Sequence, residues 1–583
     1  MIKISKLTLF YTVFILLSVV NLLTMHYTIG RYTEVPFDVT SYVDNFSCII
    51  LDILIIFCTF MLLFNGRIKL SLLFCTISIT IWAFSNILYS RFFFQYISIS
   101  SIGQVGNLLN ISMLKCIIEG LRWTDLFFLV SISLSLIIYY NITSTTIGKK
   151  KIFLYFFSGI LVVFTLIVSS TVFISINNPG MNNLGYIKHH LITHHLDLYR
   201  NSANPNWTHF HRGSIWTILQ PQIFHLFSSQ KLTSQQIYII EKKAKDQRMK
   251  RTDMVSPNVD NVIFIFVESY LSLTSDLIVN GKEITPNLNK LKRDSNVFYN
   301  GKIVSNITIG ESGDGQFICM TGLLPLRSEI TVGRAKNITL PGLPKILSQH
   351  LNVNTRMLIP TTPSMWEQEK MCQQYGITKL YSCTDYNQGK GDLNDQQTFQ
   401  HLKELDEKST QPFFSIVLTM SMHQPYTNTT DPSFQIADSN LSKEYINYLN
   451  ACHYTDRQIG EYLNFLKSNG IYEKSLIIIT GDHHPNPNSL KMEGLSYNIP
   501  VYIINANINK EKAWNGECNQ LDIYTTILDI LVKDSLNWRG LGNSILTTQY
   551  KNSLTNNTWN ISEWIIHSDY FKLKKNETTS IIP

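Results

Sequence analysis

Three apolar, β-branched runs in the second half of this sequence are each followed by residues that can bind a divalent metal. These residues are Glu268 after the first run, His423 after the second, and Asp482 with His483 after the third. Carboxylates and imidazoles suit Mn²⁺, Mg²⁺ or Zn²⁺. A single residue of this kind is most simply a cap or a turn at a strand end. All of them at one sheet edge would favour a metal site.

A nucleophile stands in the segment from Gly310 to Phe317, which reads as a turn leading into a helix. Ser312 would lie at the helix N-terminus, where glycines let a phosphate approach the backbone and the helix dipole favours an anion. A metal bound to the serine oxygen would lower its pKa and activate it. The alternative is that Ser312 is only a helix cap.

The elements that must position these residues are short apolar strands that alternate with longer helical stretches, from residue 256 onwards. This alternation predicts an α/β domain with a central, mostly parallel sheet over residues 256–550. In such sheets ligands bind beyond the carboxyl ends of the strands. The predicted strands are 261–267, 356–360, which leads towards Trp366, 413–419 and 475–480.

The first part of the chain has a different character. Hydrophobic residues make up 45% of the 583 residues and charged residues 16%, and the apolar residues concentrate before residue 175. A helix needs roughly 20 apolar residues to cross a bilayer. Residues 1–175 are therefore predicted to form a five-helix transmembrane domain, with the first helix an uncleaved anchor. The predicted spans are 8–30, 46–64, 70–92, 124–141 and 152–175.

Basic residues in the short loops give the orientation. Lys3 and Lys6, then Arg67 and Lys69, and then residues 149–151 would all lie on one side, which should be the cytoplasm. Everything after residue 175 then lies outside. Residues 176–255 form a juxtamembrane connector and residues 551–583 a C-terminal tail.

The net charge of +7 is interpreted as topology, because no nucleic-acid motif is present. His190 and His194 in the connector would share a helix face, yet no carboxylate or cysteine stands near them at a familiar spacing. An interfacial polar segment is therefore favoured over a second metal site. Cys372 and Cys383 are close enough in sequence for a disulfide in an oxidising compartment, and two unlinked thiols are as well supported.

Together these motifs resemble the lipoteichoic acid synthase-like branch of the alkaline phosphatase/sulfatase superfamily. The likeness covers nearly the whole chain, since that family also has five N-terminal spans, a connector and an extracellular sulfatase-like domain. The matching segments are a metal-ligand strand, a "TPNL" segment, the nucleophile turn, an "HxPY" segment, a helix with Tyr and Asp, the last metal-ligand pair, and a loop between spans three and four. They are 267–269, 285–289, 310–317, 423–426, Tyr454 with Asp456, 481–483, and 89–93 with 121–126.

The resemblance implies a bacterial cytoplasmic-membrane enzyme with its catalytic domain periplasmic or extracellular. The metal ligands would be Glu268, Ser312, Asp482 and His483, with Mn²⁺ as the expected metal and Mg²⁺ or Zn²⁺ as alternatives. Ser312 would take up a phospholipid head group covalently, release diacylglycerol and pass the head group to a glycan or lipid acceptor. The residues expected to bind substrate are His423, Trp366, Gln368 and Asp314.

The pocket around Trp366 departs from the family pattern. The synthases carry His and Asp before this Trp and Arg two residues after it, whereas this chain has Ile359, Thr361 and Gln368. An amide cannot copy the forked contact of an arginine with phosphate. The sequence therefore supports the metal chemistry better than a specificity for glycerol phosphate. The x-Pro-x-Arg signature of the sulfatases is also absent after Ser312.

Three hypotheses follow. The leading one is a phosphoglycerol or phosphoethanolamine transferase that uses a membrane phospholipid donor. The second is a membrane-anchored phosphodiesterase or phosphatase with water as acceptor. The third is a non-catalytic relative that acts as a binding protein, which the lost pocket charges favour and the retained Ser312 and metal ligands oppose.

Overall fold

In the computed structural model the chain forms two compact units, one from the N-terminal part and one from the C-terminal part. The first takes in the described residues up to 219, and the second those from 232 onwards. The structure describes residues 6–30, 39–93, 96–97, 117–118, 120–141, 146–154, 156–161, 165, 209, 213–219, 232–246, 255, 257–327, 329–386, 391–409, 412–427, 434–436, 440–485, 490, 496–532 and 536–579.

The N-terminal unit is a bundle of apolar helices. Its helices are α1 (Lys6–Gly30), α2 (Val39–Leu63), α3 (Ile68–Phe93) and α4 (Leu126–Tyr140). Three segments in the described part of the chain are long and apolar enough to cross a membrane: Phe10–Gly30, Ile68–Phe92 and Trp123–Tyr140.

The second and fifth predicted spans are less complete. Cys48–Leu63 in α2 is apolar over a shorter length. Residues 152–154 and 156–161 are helical, but most of the remaining predicted fifth span lies outside the described residues. The N-terminal membrane bundle is therefore supported, and the count of five stays a prediction.

Buried polar contacts tie the bundle together. Asn21 in α1 donates to the Thr80 hydroxyl of α3 at 2.8 Å and accepts from Ser131 of α4 at 3.1 Å. At the end of α3, Arg91 makes a two-pronged ion pair with Asp125, at 2.6 and 2.7 Å. Polar groups buried among apolar helices need such partners, since no water satisfies them there. The last pair joins two segments, 89–93 and 121–126, that the sequence comparison singled out.

The C-terminal unit is an α/β domain around one large sheet. The strands are β1 (Asn261–Val267), β2 (Ile278–Val279), β3 (Lys282–Glu283), β4 (Val297–Val304), β5 (Asn354–Leu358), β6 (Lys379–Tyr381), β7 (Phe413–Leu418), β8 (Ser475–Gly481), β9 (Ile499–Ile504) and β10 (Cys518–Asn519).

Helices cover and connect these strands. They are α5 (Ser234–Asp246), α6 (Pro286–Arg293), α7 (Glu311–Thr321), α8 (Thr331–Ala335), α9 (Leu343–Leu351), α10 (Gln368–Tyr375), α11 (Cys383–Tyr386), α12 (Asp395–Glu407), α13 (Lys443–Ser468), α14 (Leu521–Leu531), α15 (Asn556–Ser568) and α16 (Tyr570–Thr579).

The main sheet has eight strands in the order β10-β4-β9-β8-β1-β7-β5-β6. The five strands from β8 to β6 are parallel, and β9 is antiparallel to both of its neighbours. The prediction of a mostly parallel α/β sheet is therefore confirmed, and each predicted strand coincides with a strand in the structure to within two residues.

Central strands are buried on both faces, which is why their sequences are continuously apolar. In β1, Phe264 and Phe266 point into one hydrophobic cluster, whereas Ile263 and Ile265 point into the other. This alternation fixes the register of β1 because a slip of one residue would exchange the two faces. The carboxyl ends of β1, β7 and β8 consequently lie at one edge of the sheet.

Candidate active site

Glu268 and Asp482 are neighbours because of the register between β1 and β8. Val267 pairs with Gly481 at the ends of these parallel strands, so the next residue of each strand leaves the sheet at the same level. The amide of Asp482 also donates to the Val267 carbonyl at 3.1 Å. The sheet itself thus brings together two carboxylates that are 214 residues apart in the sequence.

His483 completes a compact group with these carboxylates. Its Nε2 lies 3.3 Å from Oε1 of Glu268 and 3.6 Å from Oδ2 of Asp482. One ligand atom from each of the three residues lies within 4.8 Å of the others, and all three residues are buried. This is the arrangement expected for a divalent metal site made of two oxygens and one nitrogen.

Ser269 holds the two carboxylates in place. Its hydroxyl donates to Oε1 of Glu268 at 2.7 Å, and its amide donates to Oδ1 of Asp482 at 2.9 Å. Its backbone is in the left-handed region, with φ of 51°, and the hydroxyl of Tyr448 donates to its carbonyl at 3.0 Å. No role for Ser269 is predicted from the sequence. The only signal was its position directly after the ligand Glu268.

Ser312 lies in the first turn of α7, as predicted, and its hydroxyl faces the acidic group. Its Oγ is 3.0 Å from Oε2 of Glu268, to which it donates, and 3.1 Å from Nε2 of His483. The residue that precedes the helix is Gly310, and the Ser312 side chain makes no capping bond. The alternative of a simple helix cap is therefore not what the structure shows.

The turn before α7 is held by Asp314. This buried carboxylate accepts hydrogen bonds at Oδ2 from the amides of Thr308 and Gly310 and from the hydroxyl of Thr308, at 2.8 to 3.0 Å. Burial raises its pKa and these donors lower it, with a net upward direction. Asp314 was expected to bind substrate. The structure gives it the position of a support beneath the nucleophile turn.

Glycine at position 315 lets α7 pack directly on the end of β8. A Cβ at Gly315 would lie 2.0 Å from the carbonyl oxygen of Asp482. The same carbonyl accepts from the side-chain amide of Gln520 at 2.6 Å. Helix α7 and the end of β8 are therefore in contact through the backbone, and no side chain separates them.

The hydrogen bond on the far side of His483 determines which ring nitrogen is available. Nδ1 lies 2.7 Å from the His484 carbonyl, which can only accept, so Nδ1 carries the proton. In the neutral ring Nε2 then has a free lone pair, and it faces Ser312, Glu268 and Asp482. A backbone partner of this kind is how metal-binding histidines are usually oriented. The donor set fits a divalent metal.

The charges of the group also favour a cation. Burial and the nearby charge of Glu268 raise the pKa of Asp482 to about 7. Burial opposes the charged forms of Glu268 and His483 as well, but their mutual attraction lowers the pKa of Glu268 and raises that of His483. Asp482 and the His483 ring therefore favour their protonated forms beside the charged Glu268, and a divalent cation would replace those protons.

His423 lies beyond the end of β7 at the same sheet edge. Its side chain is exposed, and its Nδ1 is 2.8 Å from the Gln424 carbonyl. Nδ1 therefore donates, which leaves Nε2 for a ligand. An electrostatic interaction with His423 also lowers the pKa of Glu268, which places His423 close to the group of Glu268, Asp482 and His483.

Trp366 and Gln368 line the other side of the nucleophile helix. Trp366 packs against the backbone next to Ser312, since a Cβ at Gly313 would be 3.2 Å from the indole ring. Gln368 is 3% exposed, and its amide donates to the side-chain oxygen of Gln316 at 2.8 Å. Within the described residues, Nε2 of Gln316 and Oε1 of Gln368 have no hydrogen-bond partner.

Glu311 is a further acidic residue at the site that the sequence analysis did not single out. Its carboxylate is 3.6 Å from Nδ1 of His483, on the side opposite to the metal-ligand group. Its backbone is left-handed, with φ of 42°. Burial raises its pKa, and the charge of His483 opposes that rise.

Two of the other matched motifs meet away from this centre. Asp456 of α13 accepts from the backbone amides of Asn287 and Leu288, at 3.0 and 2.8 Å, at the start of α6. The "TPNL" segment and the helix with Tyr454 are thus in direct contact, and this contact holds the start of α6 against α13.

Two further predictions concern residues away from this site, a histidine pair in the connector and a possible disulfide. His190 and His194 fall outside the described residues. Cys372 and Cys383 are buried free thiols, and burial raises the pKa of Cys372 to about 12 and that of Cys383 to about 11. No disulfide joins this pair in the structure.

Two family models match the chain. The one described as Sulfatase matches residues 260–533, which contain β1, α7 and β8. The one described as lipoteichoic acid synthase N-terminal domain matches residues 1–190.

Curated relatives extend the likeness over most of the chain. Lipoteichoic acid synthase 2 of Bacillus subtilis is 27% identical over 80% of this chain and 73% of its own length. Lipoteichoic acid synthase of Staphylococcus aureus is 24% identical over 93% and 85%. Among solved structures, the lipooligosaccharide phosphoethanolamine transferase A of Neisseria meningitidis has a TM-score of 0.50 and 14% identity, over 90% of this chain and 96% of that chain, and so shares the fold.

Proposed function

Because the chain belongs to the lipoteichoic acid synthase-like group of the alkaline phosphatase/sulfatase superfamily, we propose that it transfers a phospholipid head group. The head group would be phosphoglycerol or phosphoethanolamine, and the acceptor a glycan or lipid of the bacterial cell envelope. The names of the relatives support head-group transfer as a class.

One observation carries the proposal. The Ser312 hydroxyl lies within hydrogen-bond distance of both Glu268 and His483, at the first turn of a helix and at the carboxyl edge of the sheet. A hydroxyl in contact with a carboxylate and an imidazole is the arrangement of an activated nucleophile. The first-turn amides of α7 can receive the negative oxygens of a phosphate.

In the first half of the reaction, the Ser312 oxygen forms a bond to the phosphorus of the donor lipid, and the bond from phosphorus to the diacylglycerol oxygen breaks. The Ser312 proton is directed along its hydrogen bond to Glu268, and the departing diacylglycerol oxygen takes up a proton. In the second half, an acceptor hydroxyl attacks the same phosphorus, the bond from phosphorus to the Ser312 oxygen breaks, and that oxygen takes back the proton held at Glu268. The proton released by the acceptor hydroxyl to water balances the one that the diacylglycerol oxygen took from water. His423 contacts the phosphate or the head group through Nε2.

Glu268, Ser312, Asp482 and His483 are the residues that would hold the metal, and Mn²⁺ is the metal we propose. When bound, a divalent cation there lowers the pKa of the serine hydroxyl and offsets the charge that grows on the phosphoryl oxygens. Ser269 and the His484 carbonyl orient the ligand side chains independently of the metal.

The lipid donor fits the membrane part of the chain. We propose that all five predicted spans cross the bilayer and that the α/β domain lies on its outer side, where it would meet donor lipids in the outer leaflet. The head-group pocket would be lined by Trp366 and the neutral pair Gln316 and Gln368, so its polar contacts would be amide hydrogen bonds and not ion pairs.

The test uses full-length protein in nanodiscs with Mn²⁺ and either phosphatidylglycerol or phosphatidylethanolamine that carries a fluorescent acyl chain. We expect release of labelled diacylglycerol from one of the two lipids. Ser312→Ala should abolish release, whereas Ser468→Ala, at an exposed position on α13, should leave it unchanged.

The products decide between the hypotheses. Diacylglycerol release that requires an added acceptor glycan, with the head group recovered on that glycan, supports the transferase. Release with free head-group phosphate as the other product would support a hydrolase. No release from either lipid, with metal bound and the fold intact, would overturn the proposal in favour of another donor or a non-catalytic relative.

A further inference from the structure

Basic residues are gathered at one end of the membrane bundle, and the transferase reaction does not account for this. Two loops meet there, one between α2 and α3 and the other after α4. These loops and the first residues of the helices that follow them contribute five cations within the described residues: Arg67, Lys69, Lys149, Lys150 and Lys151. Arg67 and the three later lysines are exposed.

The two loops are joined by their backbones. The amide of Ile147 donates to the carbonyl of Gly66 at 2.9 Å, and Arg67 pairs with Thr146 in an isolated antiparallel bridge. Gly66 has φ of 79°, and a Cβ there would lie 1.9 Å from the Ile147 carbonyl oxygen. The contact therefore depends on a glycine at position 66.

A side-chain contact tightens the same junction. The ammonium group of Lys69 lies 4.2 Å from the ring centroid of Tyr139, near the end of α4. In the second loop, residues 146–151 line an open cavity of about 460 Å³, and this lining includes the three consecutive lysines.

The positive charge of this cluster has no acidic counterpart in the sequence nearby. No Asp or Glu occurs in residues 53–118 or 126–196. The preference for basic residues in cytoplasmic loops accounts for their number. It does not account for two loops whose backbones are joined so that five cations are gathered together, because dispersed charges would satisfy that preference equally well.

We propose that this cluster, residues 66–69 with 146–151, is a binding site for the head group of an anionic glycerophospholipid. The cluster begins where the apolar helices α2 and α4 end, which is the depth of phosphate groups in a bilayer. Lysine and arginine at that depth attract anionic lipids. The lipid would belong to the cytoplasmic leaflet under the proposed topology, and the site is separate from the catalytic centre.

Native mass spectrometry of the full-length protein in detergent tests the proposal, with dioleoyl phosphatidylglycerol and dioleoyl phosphatidylcholine added in equal amounts. We expect wild type to retain phosphatidylglycerol in preference. The K149Q/K150Q/K151Q variant should lose roughly tenfold or more in affinity for phosphatidylglycerol and none for phosphatidylcholine. Phosphatidylglycerol held by the catalytic unit is common to both proteins and cancels in the comparison.

Three further variants make the result specific. K149R/K150R/K151R keeps the charge and should retain the lipid. K345Q/K379Q/K408Q removes three exposed lysines of the α/β domain and should have no effect. Gly66→Ala keeps all five cations but separates the loops, so it should also weaken retention.

Equal retention of phosphatidylglycerol by wild type and the glutamine variant would overturn the site. Full retention by Gly66→Ala would overturn the claim that the loops must be joined. Displacement of the lipid by an excess of inorganic phosphate would overturn the proposed lipid site, since the cluster would then be a simple phosphate site.

Discussion

Gly315 and Asp482 are in backbone contact, so that a single methyl group at position 315 would lie 2.0 Å from the Asp482 carbonyl oxygen. This contact joins the helix that carries Ser312 to Asp482, directly after β8. The distance between Ser312 and His483 therefore depends on the absence of a side chain at a third position.

Gly315→Ala should move Ser312 away from Glu268 and His483, because the oxygen it meets belongs to the backbone and cannot rotate aside. A misplacement of about 1 Å can cost about 100-fold in rate, and we expect a fall in kcat of that order with little change in KM. Diacylglycerol release measures it. Ser468→Ala, at an exposed position on α13, is the control. Unchanged kcat would contradict the dependence on this contact.

Ser269→Ala should weaken metal binding without removing a ligand. The hydroxyl that donates to Glu268 would be lost, and the carboxylate would no longer be held in one orientation. Loss of such an outer partner typically reduces metal affinity 10- to 100-fold. Titration calorimetry with Mn²⁺ on full-length protein measures the change, against Ser468→Ala. An affinity equal to that of wild type would show that Glu268 is oriented by other contacts.

The pair formed by Gln316 and Gln368 should behave as a unit. Gln368→Ala leaves the Gln316 amide buried without its partner, which costs about 1 to 3 kcal/mol of unfolding free energy. Replacement of both by Met should be much less destabilising, because no polar group is then left unpaired. Thermal unfolding of the three proteins tests this. A double variant that is destabilised as much as Gln368→Ala would contradict the coupling of the two amides.

Asp456 should make stability depend on pH. Burial raises its folded-state pKa from 3.8 to about 6, although the amides of Asn287 and Leu288 lower it. The protonated form is therefore favoured on folding, and its contribution is full below the unfolded pKa and is lost as pH rises through about 6.

Asp456→Asn removes this titration, so the stability difference between wild type and variant should change between about pH 4 and pH 7. It should shift by at most about 3 kcal/mol, in the direction of a relatively less stable wild type at the higher pH. Thermal unfolding in detergent across this range measures the difference. A constant gap would mean that Asp456 has the same pKa in the folded and unfolded states.

The sequence was sufficient for the sheet and for the grouping of Glu268, Asp482 and His483 at its edge. Apolar runs such as 261–267 and 475–480 identify buried parallel strands, and the carboxyl ends of parallel strands share an edge. Glu268, His423, Asp482 and His483 could therefore be expected together before any coordinates were known. The turn before Ser312 was recognisable because the glycines around it indicate a tight turn and leave the backbone open to a phosphate.

Only the tertiary structure decided how these residues are held. The left-handed backbone of Ser269, the support of the nucleophile turn by Asp314 and the pairing of Gln316 with Gln368 depend on contacts between distant segments. Local sequence preferences do not predict such contacts. The hydrogen-bond partner of a buried polar side chain is determined by the tertiary packing, which places distant segments next to each other. The same holds for the junction of Gly66 with Ile147, which turns two ordinary basic loops into one cluster.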